Sequence, residues 1–361
     1  MITDPHTAPP VHSARAAGLR YVRGTPAGIE RVGGPKVFGY VKDGKVVRDK
    51  ATTARIRLLA IPPAWERVWI NADPLGHLQA TGHDAKGRKQ YRYHADWSAH
   101  RNETKYVHAL AFGQQLGEMR KRVEQDLKLP GLPAEKVLAT VVSVMDDTQI
   151  RVGQDEYAKS NGTFGLSTLL DRHVKPDGAG LRFVFRGKTG IAHNIRLGSP
   201  RLARLVMRCK ELPGQDLFQY LDEKGEPKPI DSGMVNDYIR SITNGAYTSK
   251  DMRTWKGTVH CARELLIQGP ADTLAERRTR INAALDEVAR HLGNTRTVCR
   301  KYYVHPEVVV AYERRTLMSV AAGVKGTRTL AHEERVVIRL LGGRTSRTVR
   351  PGRMRLSAVN G

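Results

Sequence analysis

Short runs of β-branched and aromatic residues, separated by turn signals, mark the first third of the chain. Residues 37–47 place the Asp43-Gly44 turn, a sequence typical of tight hairpins, between two apolar runs. Residues 68–70 form a further strand candidate, and residues 77–93 form a second hairpin candidate around a glycine-containing turn. We therefore expect a small antiparallel β-sheet domain at residues 19–104. The preceding residues 1–18 are polar and contain proline, which favours disorder.

From about residue 105 the apolar positions repeat with the period of an α-helix. Apolar residues within 116–127 are three or four positions apart, as one buried helix face requires. Similar repeats within residues 137–145 and 281–292 predict two more helices. The last of these meets Gly293 at the position where glycine commonly ends a helix.

One pair of β-strands interrupts the helical region. Residues 181–185 and 191–197 flank a tight turn, so that Lys188 is expected at the tip of a hairpin. The predicted class is therefore α+β, with a small antiparallel β-sheet N-terminal domain and a larger, mainly α-helical domain at residues 105–322 that contains a small β-hairpin sheet. The pattern fades afterwards, and residues 323–361 are interpreted as a flexible basic C-terminal tail.

The charge of the chain points to a polyanionic partner. The formal net charge is +24, from 60 Lys and Arg against 36 Asp and Glu in 361 residues. Such an excess informs about partners rather than fold, and nucleic acid is the main candidate. A membrane surface is the rival, but no apolar run approaches bilayer length, and residues 1–15 lack the apolar core of a signal peptide.

The cysteines favour a reducing compartment. The three of them, Cys209, Cys261 and Cys299, are odd in number and unclustered, so that neither a disulfide framework nor a zinc site is expected. The 13 histidines show no HExxH spacing, and we predict no metal ligand. A cytoplasmic protein is the expected outcome.

Four short basic stretches carry the chemistry that the sequence suggests. They lie at residues 150–153, 186–189, 250–254 and 292–303, and two arginines, one lysine and one tyrosine among them would form a metal-free set for attacking a phosphodiester. A phenol can attack a phosphodiester, arginine forks suit the non-bridging oxygens, and a lysine can protonate the departing sugar oxygen. Fixed cations can replace the metal of other phosphoryl-transfer sites.

The order and context of these stretches resemble the type IB DNA topoisomerases, of the compact poxvirus-like kind found in bacteria. Ile150-Arg151-Val152-Gly153 stands ahead of Gly-Thr-Phe-Gly-Leu-Ser-Thr-Leu at residues 162–169. The resemblance implies that Arg151 and Arg253 bind the phosphate, that Lys188 is the general acid, and that Tyr303 is the nucleophile. Lys250 is implied as a proton-relay or phosphate partner.

One position departs from the poxvirus pattern. The family's fifth residue there is a histidine nine positions before the tyrosine, and this chain has Asn294. Asparagine can donate a hydrogen bond to a phosphoryl oxygen but cannot shuttle a proton, so we interpret Asn294 as a phosphate donor. The residues alone do not choose between Tyr302 and Tyr303, and the family spacing favours Tyr303.

The strand at residues 89–93 is basic with interleaved aromatics. Alternation would place Gln90 and Arg92 on one face, with Lys89, Tyr91 and Tyr93 on the other. Composition alone favours an ordinary half-buried strand. The resemblance instead implies DNA contacts, with Gln90, Tyr91 and Tyr93 facing the major groove and Lys89 beside them.

The resemblance implies an enzyme with a helical catalytic domain, which closes as a clamp around duplex DNA. It would relax supercoils by transient single-strand cleavage through a 3′-phosphotyrosyl intermediate, strand swivelling and religation. No cofactor, ATP or metal is expected, and the protein would act as a nucleoid-associated monomer with no membrane partner. Two alternatives stay open: a tyrosine site-specific recombinase, which uses a similar set of residues, and a non-catalytic basic DNA-binding protein.

Overall fold

The structure is a computed structural model that describes residues 10–24, 26–34, 37–85, 87–243 and 247–343. Two compact units divide the chain, Met1–His108 and Ala109–Gly361. Helix α3, Ala95–Asp126, contains the boundary between them. Within the described ranges, no helix is long and apolar enough to cross a membrane. The arginines predicted in the tail beyond residue 343 lie outside the described residues.

A six-stranded antiparallel sheet forms the first unit, with strand order β3-β2-β1-β4-β5-β6. Its elements in chain order are α1 Pro10–Ala16, β1 Ile29–Gly34, β2 Val37–Lys42, β3 Lys45–Val46, α2 Lys50–Leu58, β4 Glu66–Ile70, β5 Leu78–His83 and β6 Lys89–Tyr93. Five buried side chains form its small core, namely Ile29, Ile56, Val68, Ile70 and Ala80. Both predicted hairpins are present, as β2–β3 and β5–β6.

The second unit is mainly helical. After α3 it contains α4 Ala134–Thr148, α5 Asp155–Asn161, β7 Val174–Asp177, β8 Gly180–Arg186, β9 Ala192–Leu197, α6 Pro200–Lys210, β10 Gln219–Leu221, β11 Pro227–Pro229, α7 Ser232–Ile242, α8 Ser249–Gln268, α9 Leu274–Leu292, α10 Arg296–Tyr302, α11 Pro306–Glu313, α12 Leu317–Ala321 and α13 His332–Gly342. Strands β7, β8 and β9 form one antiparallel sheet, and β10 pairs with β11. The predicted α+β class is confirmed.

The core of this unit packs around the middle of α8. Trp255 on α8 is 1% exposed, and Phe112 on α3 meets its ring edge to face with centroids 6.3 Å apart. The apolar face predicted within residues 116–127 is buried, with Leu116, Met119 and Val123 on α3 and Leu127 directly after it. Burial of large aromatic and aliphatic side chains supplies most of the stabilisation of such a core. Helix α8 is therefore fixed against α3.

A network of ion pairs also holds α8. Lys256 Nζ lies 2.9 Å from Asp146 Oδ1 on α4, and Arg120 on α3 pairs with Asp146 at 2.9 Å and with Glu334 on α13 at 2.7 Å. Burial alone would raise the pKa of the Asp146 carboxyl, but the charges of Lys256 and Arg120 outweigh it and lower that pKa. Four helices thus share one set of balanced charges.

The structure differs from the predictions at both ends of the chain. Helix α1 occupies part of the segment predicted as disordered, with Ser13 and Ala14 buried. Helix α13 lies in the predicted tail, and Val336, Val337 and Leu341 are buried on it. Both helices are short, and short helices depend on packing in the folded protein rather than on their own sequence. In α13 charged residues also surround the few apolar positions, so that its apolar face is not evident from the sequence.

Two glycines of α3 provide a test of this packing. A Cβ at Gly113 would overlap the Trp255 indole ring, whereas a Cβ at Gly117 would lie 3.3 Å from Thr329 Oγ1. Alanine gains about 1 kcal/mol of helix propensity at either position. We expect Gly113→Ala nevertheless to lower the free energy of unfolding by about 1–3 kcal/mol, because the buried ring cannot move away freely.

Gly117→Ala is the matched control and should stay within about 1 kcal/mol of the wild type. The measurement is the denaturation midpoint in urea, followed by tryptophan fluorescence. Equal midpoints for the two variants would contradict the described contact between α3 and α8.

Candidate active site

Two glycines position the Arg151 segment against the turn at residues 164–168. The backbone amide of Leu166 donates to Arg151 O at 2.8 Å. A Cβ at Gly165 would lie 2.5 Å from Gly153 N, and Gly153 itself has φ +104°, a conformation that favours glycine. Close backbone approach therefore explains why this part of the motif contains glycine at both positions.

Arg253 is a buried cation held by backbone carbonyls. It is 6% exposed, and its guanidinium donates to Gln149 O and, at 3.0 Å, to Leu292 O. Its Nε is buried and has no hydrogen-bond partner among the described residues. Burial and the charge of Arg151 lower the pKa of Arg253, while its interactions with Tyr303 raise it. A buried guanidinium beside a second cation is electrostatically suited to receive an anion.

The end of α9 presents Asn294. Gly293 ends the helix with φ 57°, and the amide of Asn294 donates to Ala289 O at 3.0 Å. Asn294 Oδ1 accepts a hydrogen bond from the Arg151 guanidinium at 2.9 Å. The amide oxygen thus orients Arg151, and Asn294 Nδ2 donates to Leu292 O at 3.4 Å.

Tyr302 and Tyr303 lie in different environments. The Arg253 guanidinium lies over the Tyr303 ring, 5.6 Å from its centroid, whereas Tyr302 is 45% exposed and is covered by the Lys301 ammonium. Gly257 on α8 allows the close approach of Tyr303, because a Cβ there would lie 2.9 Å from Tyr303 O. Of the two tyrosines, Tyr303 is therefore the one placed next to Arg253.

The β8–β9 hairpin carries Lys188 in the short helical turn Lys188–Gly190. His193, on β9, stacks on Phe185 with ring centroids 4.9 Å apart. Its ring also lies against Gly187, and 2.7 Å from the position that a Cβ of Gly293 would take. The imidazole thus packs between the hairpin turn that carries Lys188 and the end of α9.

A shallow cleft joins these elements. Its lining comes from the segment that follows α4, from Phe164, from α8 and α9, and from the β8–β9 hairpin. It consists of Gln149, Ile150, Arg151, Phe164, Phe185, Gly187, Lys188, His193, Ile195, Arg253, His291 and Leu292. The second unit therefore brings together Arg151, Lys188 and Arg253. Asn294 contacts Arg151, and Tyr303 contacts Arg253. Lys250 is exposed in the first turn of α8, one turn before Arg253, and does not line the cleft.

The β6 strand of the first unit shows the predicted alternation. Tyr91 and Tyr93 are about half exposed and stack on one another with centroids 6.2 Å apart, and Lys89 Nζ lies 5.9 Å from the Tyr91 ring centroid. Gln90 points to the opposite face, where its Nε2 donates to Asp84 Oδ2 at 3.0 Å. The structure groups Lys89 with the two tyrosines and separates Gln90 from them.

Sequence reasoning missed two residues of the cleft. Gln149 adopts a left-handed conformation with φ 59°, which directs its carbonyl to Arg253. His193 is five positions after Lys188 in the sequence. The only signal for it would have been the β8–β9 pairing, which sets His193 opposite Phe185. Burial, and next the charges of Arg151 and Arg253, lower the pKa of His193.

Comparison with known proteins identifies the family of this chain. The family model "Eukaryotic DNA topoisomerase I, catalytic core" matches residues 89–324, and "Bacterial DNA topoisomerase IB, N-terminal domain" matches residues 37–84. The chain belongs to the type IB DNA topoisomerases. It is accordingly an isomerase, and the resemblance stated from its motifs is confirmed.

Viral topoisomerases are among its relatives. DNA topoisomerase 1B of Acanthamoeba polyphaga mimivirus is 30% identical over 291 residues, which cover 79% of this chain and 86% of the viral protein. DNA topoisomerase 1 of rabbit fibroma virus is 26% identical over 216 residues, 54% of this chain and 67% of that protein. DNA topoisomerase 1B of vaccinia virus (strain Copenhagen) is 27% identical over 165 residues, 44% and 51% of the two chains.

The electrostatics of the cleft predict the titration of His193 in this topoisomerase. Its pKa should lie below the ordinary value of about 6.5, so that the ring is neutral at neutral pH. Arg151→Gln removes a nearby positive charge and should raise the pKa of His193. The measurement is an NMR titration of the histidine ring protons without DNA.

Arg172→Gln is the control, because Arg172 lowers the pKa of His173 instead. It should raise the pKa of His173 and leave that of His193 unchanged. A His193 pKa that does not respond to Arg151→Gln would show that the two side chains are not close.

Proposed function

We propose that this topoisomerase relaxes supercoiled duplex DNA through a covalent 3′-phosphotyrosyl intermediate, with Tyr303 as the nucleophile. The observation that carries this proposal is the contact between Tyr303 and the buried Arg253, which lines the same cleft as Arg151 and Lys188. Asn294 completes the site through its hydrogen bond with Arg151.

The phosphate is held by cations and an amide. Arg151 and Arg253 bind the non-bridging oxygens, because two guanidinium groups near one another are stabilised by an anion between them. The unpartnered Nε of Arg253 supplies one donor, and Asn294 supplies another. These charges stabilise the transition state where negative charge accumulates on the phosphoryl group.

The cleavage step exchanges one ester for another. Tyr303 Oη forms a bond to phosphorus as the bond to the 5′ oxygen breaks, the phenol proton passes to solvent, and Lys188 protonates the departing 5′ oxygen. The DNA beyond the nick then rotates. Religation reverses the step, with Lys188 accepting the proton of the 5′-hydroxyl. Because the phosphotyrosyl ester retains the energy of the broken bond, the reaction consumes no ATP, and the cations supply the charge stabilisation without a required metal.

Binding of the duplex uses both units. In the first unit, Lys89, Tyr91 and Tyr93 form an exposed aromatic and basic face for DNA, whereas Gln90, on the opposite face of β6, donates to Asp84 and is not part of that face. In the second unit, Lys250 contacts the DNA backbone near the scissile phosphate. We propose a monomer in the cytoplasm, bound to the nucleoid, whose affinity falls with rising salt.

The two adjacent tyrosines give a matched test of the nucleophile. Tyr303→Phe should reduce relaxation of supercoiled plasmid by more than about 10⁴-fold and abolish the covalent adduct trapped by denaturant. Tyr302→Phe removes the same hydroxyl from the exposed neighbour and should leave both unchanged. The assay contains EDTA and no ATP. An adduct that persists in Tyr303→Phe but disappears in Tyr302→Phe would contradict the assignment.

The general-acid role of Lys188 has a chemical signature. Lys188→Ala should slow cleavage by about 10²–10⁴-fold on ordinary DNA. A substrate with sulfur in place of the 5′ bridging oxygen has a leaving group that needs no proton, and it should restore cleavage by the variant. Arg253→Ala is the control, since loss of phosphate stabilisation should not be rescued by sulfur. Equal impairment of Lys188→Ala on both substrates would exclude this role.

A further inference from the structure

Two pairs of metal-ligating side chains face one another on adjacent helices. His260 and Glu264 are one turn apart on α8, and Glu287 and His291 are one turn apart on α9. Each of His260, Glu287 and His291 offers one ligand atom, and these three atoms all lie within 4.8 Å of one another. The two imidazole rings cross almost at a right angle, with centroids 4.4 Å apart.

His260 carries the second observation. The residue is 9% exposed, its Nε2 lies 3.4 Å from Glu264 Oε1, and its Nδ1 is buried without a hydrogen-bond partner in the described part of the chain. With the proton on Nε2 facing Glu264, Nδ1 holds a lone pair. A buried acceptor without a partner is unfavourable unless a ligand satisfies it.

We propose that His260, Glu287 and His291 bind a divalent transition-metal ion, with Zn²⁺ as the ion best suited to the ligands. Two imidazoles and one carboxylate are a common zinc ligand set, and a water completes the four-coordinate geometry. Glu264 acts as a positioning residue for His260, as carboxylates do for metal-bound histidines in other proteins.

The ligands need only a small movement to bind the ion. Metal–nitrogen bonds of about 2.0–2.1 Å in a tetrahedral site place ligand atoms about 3.3 Å apart. Glu287 is half-buried and His291 is exposed, so that both side chains can rotate towards the buried His260. The ion must compete with Arg290, which pairs with Glu287 but is 71% exposed and can return to water. Arg263, also near His260, is exposed as well.

The position of this site gives it a structural role. His291 directly precedes Leu292, whose carbonyl accepts a hydrogen bond from Arg253, and His260 lies two turns after Arg253 on α8. A bound ion would cross-link the two helices that fix Arg253. One ligand, His291, also lines the cleft, but the site uses none of the residues assigned to phosphoryl transfer, and binding requires neither DNA nor catalysis.

The experiment uses the full chain, stripped of metal by a chelator and titrated with Co²⁺ in the absence of DNA. We expect visible d–d absorption that saturates at one equivalent and is displaced by Zn²⁺, and a melting temperature that rises with Zn²⁺. An absence of saturable absorption at one equivalent would overturn the proposal.

Three variants test whether Co²⁺ binds at this site or at other histidines. His291→Ala changes an exposed residue and should weaken Co²⁺ binding by more than about tenfold while the fold is retained, and Glu264→Gln should weaken it by about tenfold. His332→Ala, a partly buried histidine at the start of α13, is the control and should bind as the wild type does. Wild-type affinity in His291→Ala would place the ion elsewhere and refute the assignment.

Discussion

The burial of one positive charge organises the catalytic unit. The Arg253 guanidinium is held between Gln149 O at the end of α4 and Leu292 O at the end of α9. A buried cation without such partners would be strongly unfavourable, so these two helix ends must stay where they are. Arg151 follows the first of them and Asn294 follows the second, and the site is therefore built from segments that Arg253 connects.

Close backbone approaches complete the arrangement. Gly153 and Gly165 let the Arg151 segment lie directly against its neighbour, and Gly257 lets Tyr303 approach α8. His193 fills the space between Gly187 and Gly293. Each glycine removes a side chain where two elements must touch, and precise contacts of this kind hold catalytic groups within the narrow tolerances that phosphoryl transfer needs.

Helices α8 and α9 contribute residues both to the site and to the packing and ion pairs that hold it in place. Helix α8 contributes Arg253 on one side, Trp255 to the core, and Lys256 to the ion pairs with Asp146. Its next turn brings His260 beside His291 on α9, where a bound ion would add a further connection. The position of Arg253 thus depends on hydrophobic packing, balanced charges and backbone hydrogen bonds at once.

The sequence by itself determined the α+β class, the helices α3, α4 and α9, the hairpins and the family, because apolar periodicity and the motifs around Arg151, Lys188, Arg253 and Tyr303 are local properties of the chain. It did not show α13 or the metal-ligand group, since a short helix and two pairs of residues gain meaning only from partners distant in the chain. Only the tertiary structure placed Tyr303, and not Tyr302, against Arg253. The two tyrosines are chemically identical, and what distinguishes them is that the end of α10 directs the Tyr303 ring to Arg253 on α8 and leaves the Tyr302 ring exposed beside Lys301.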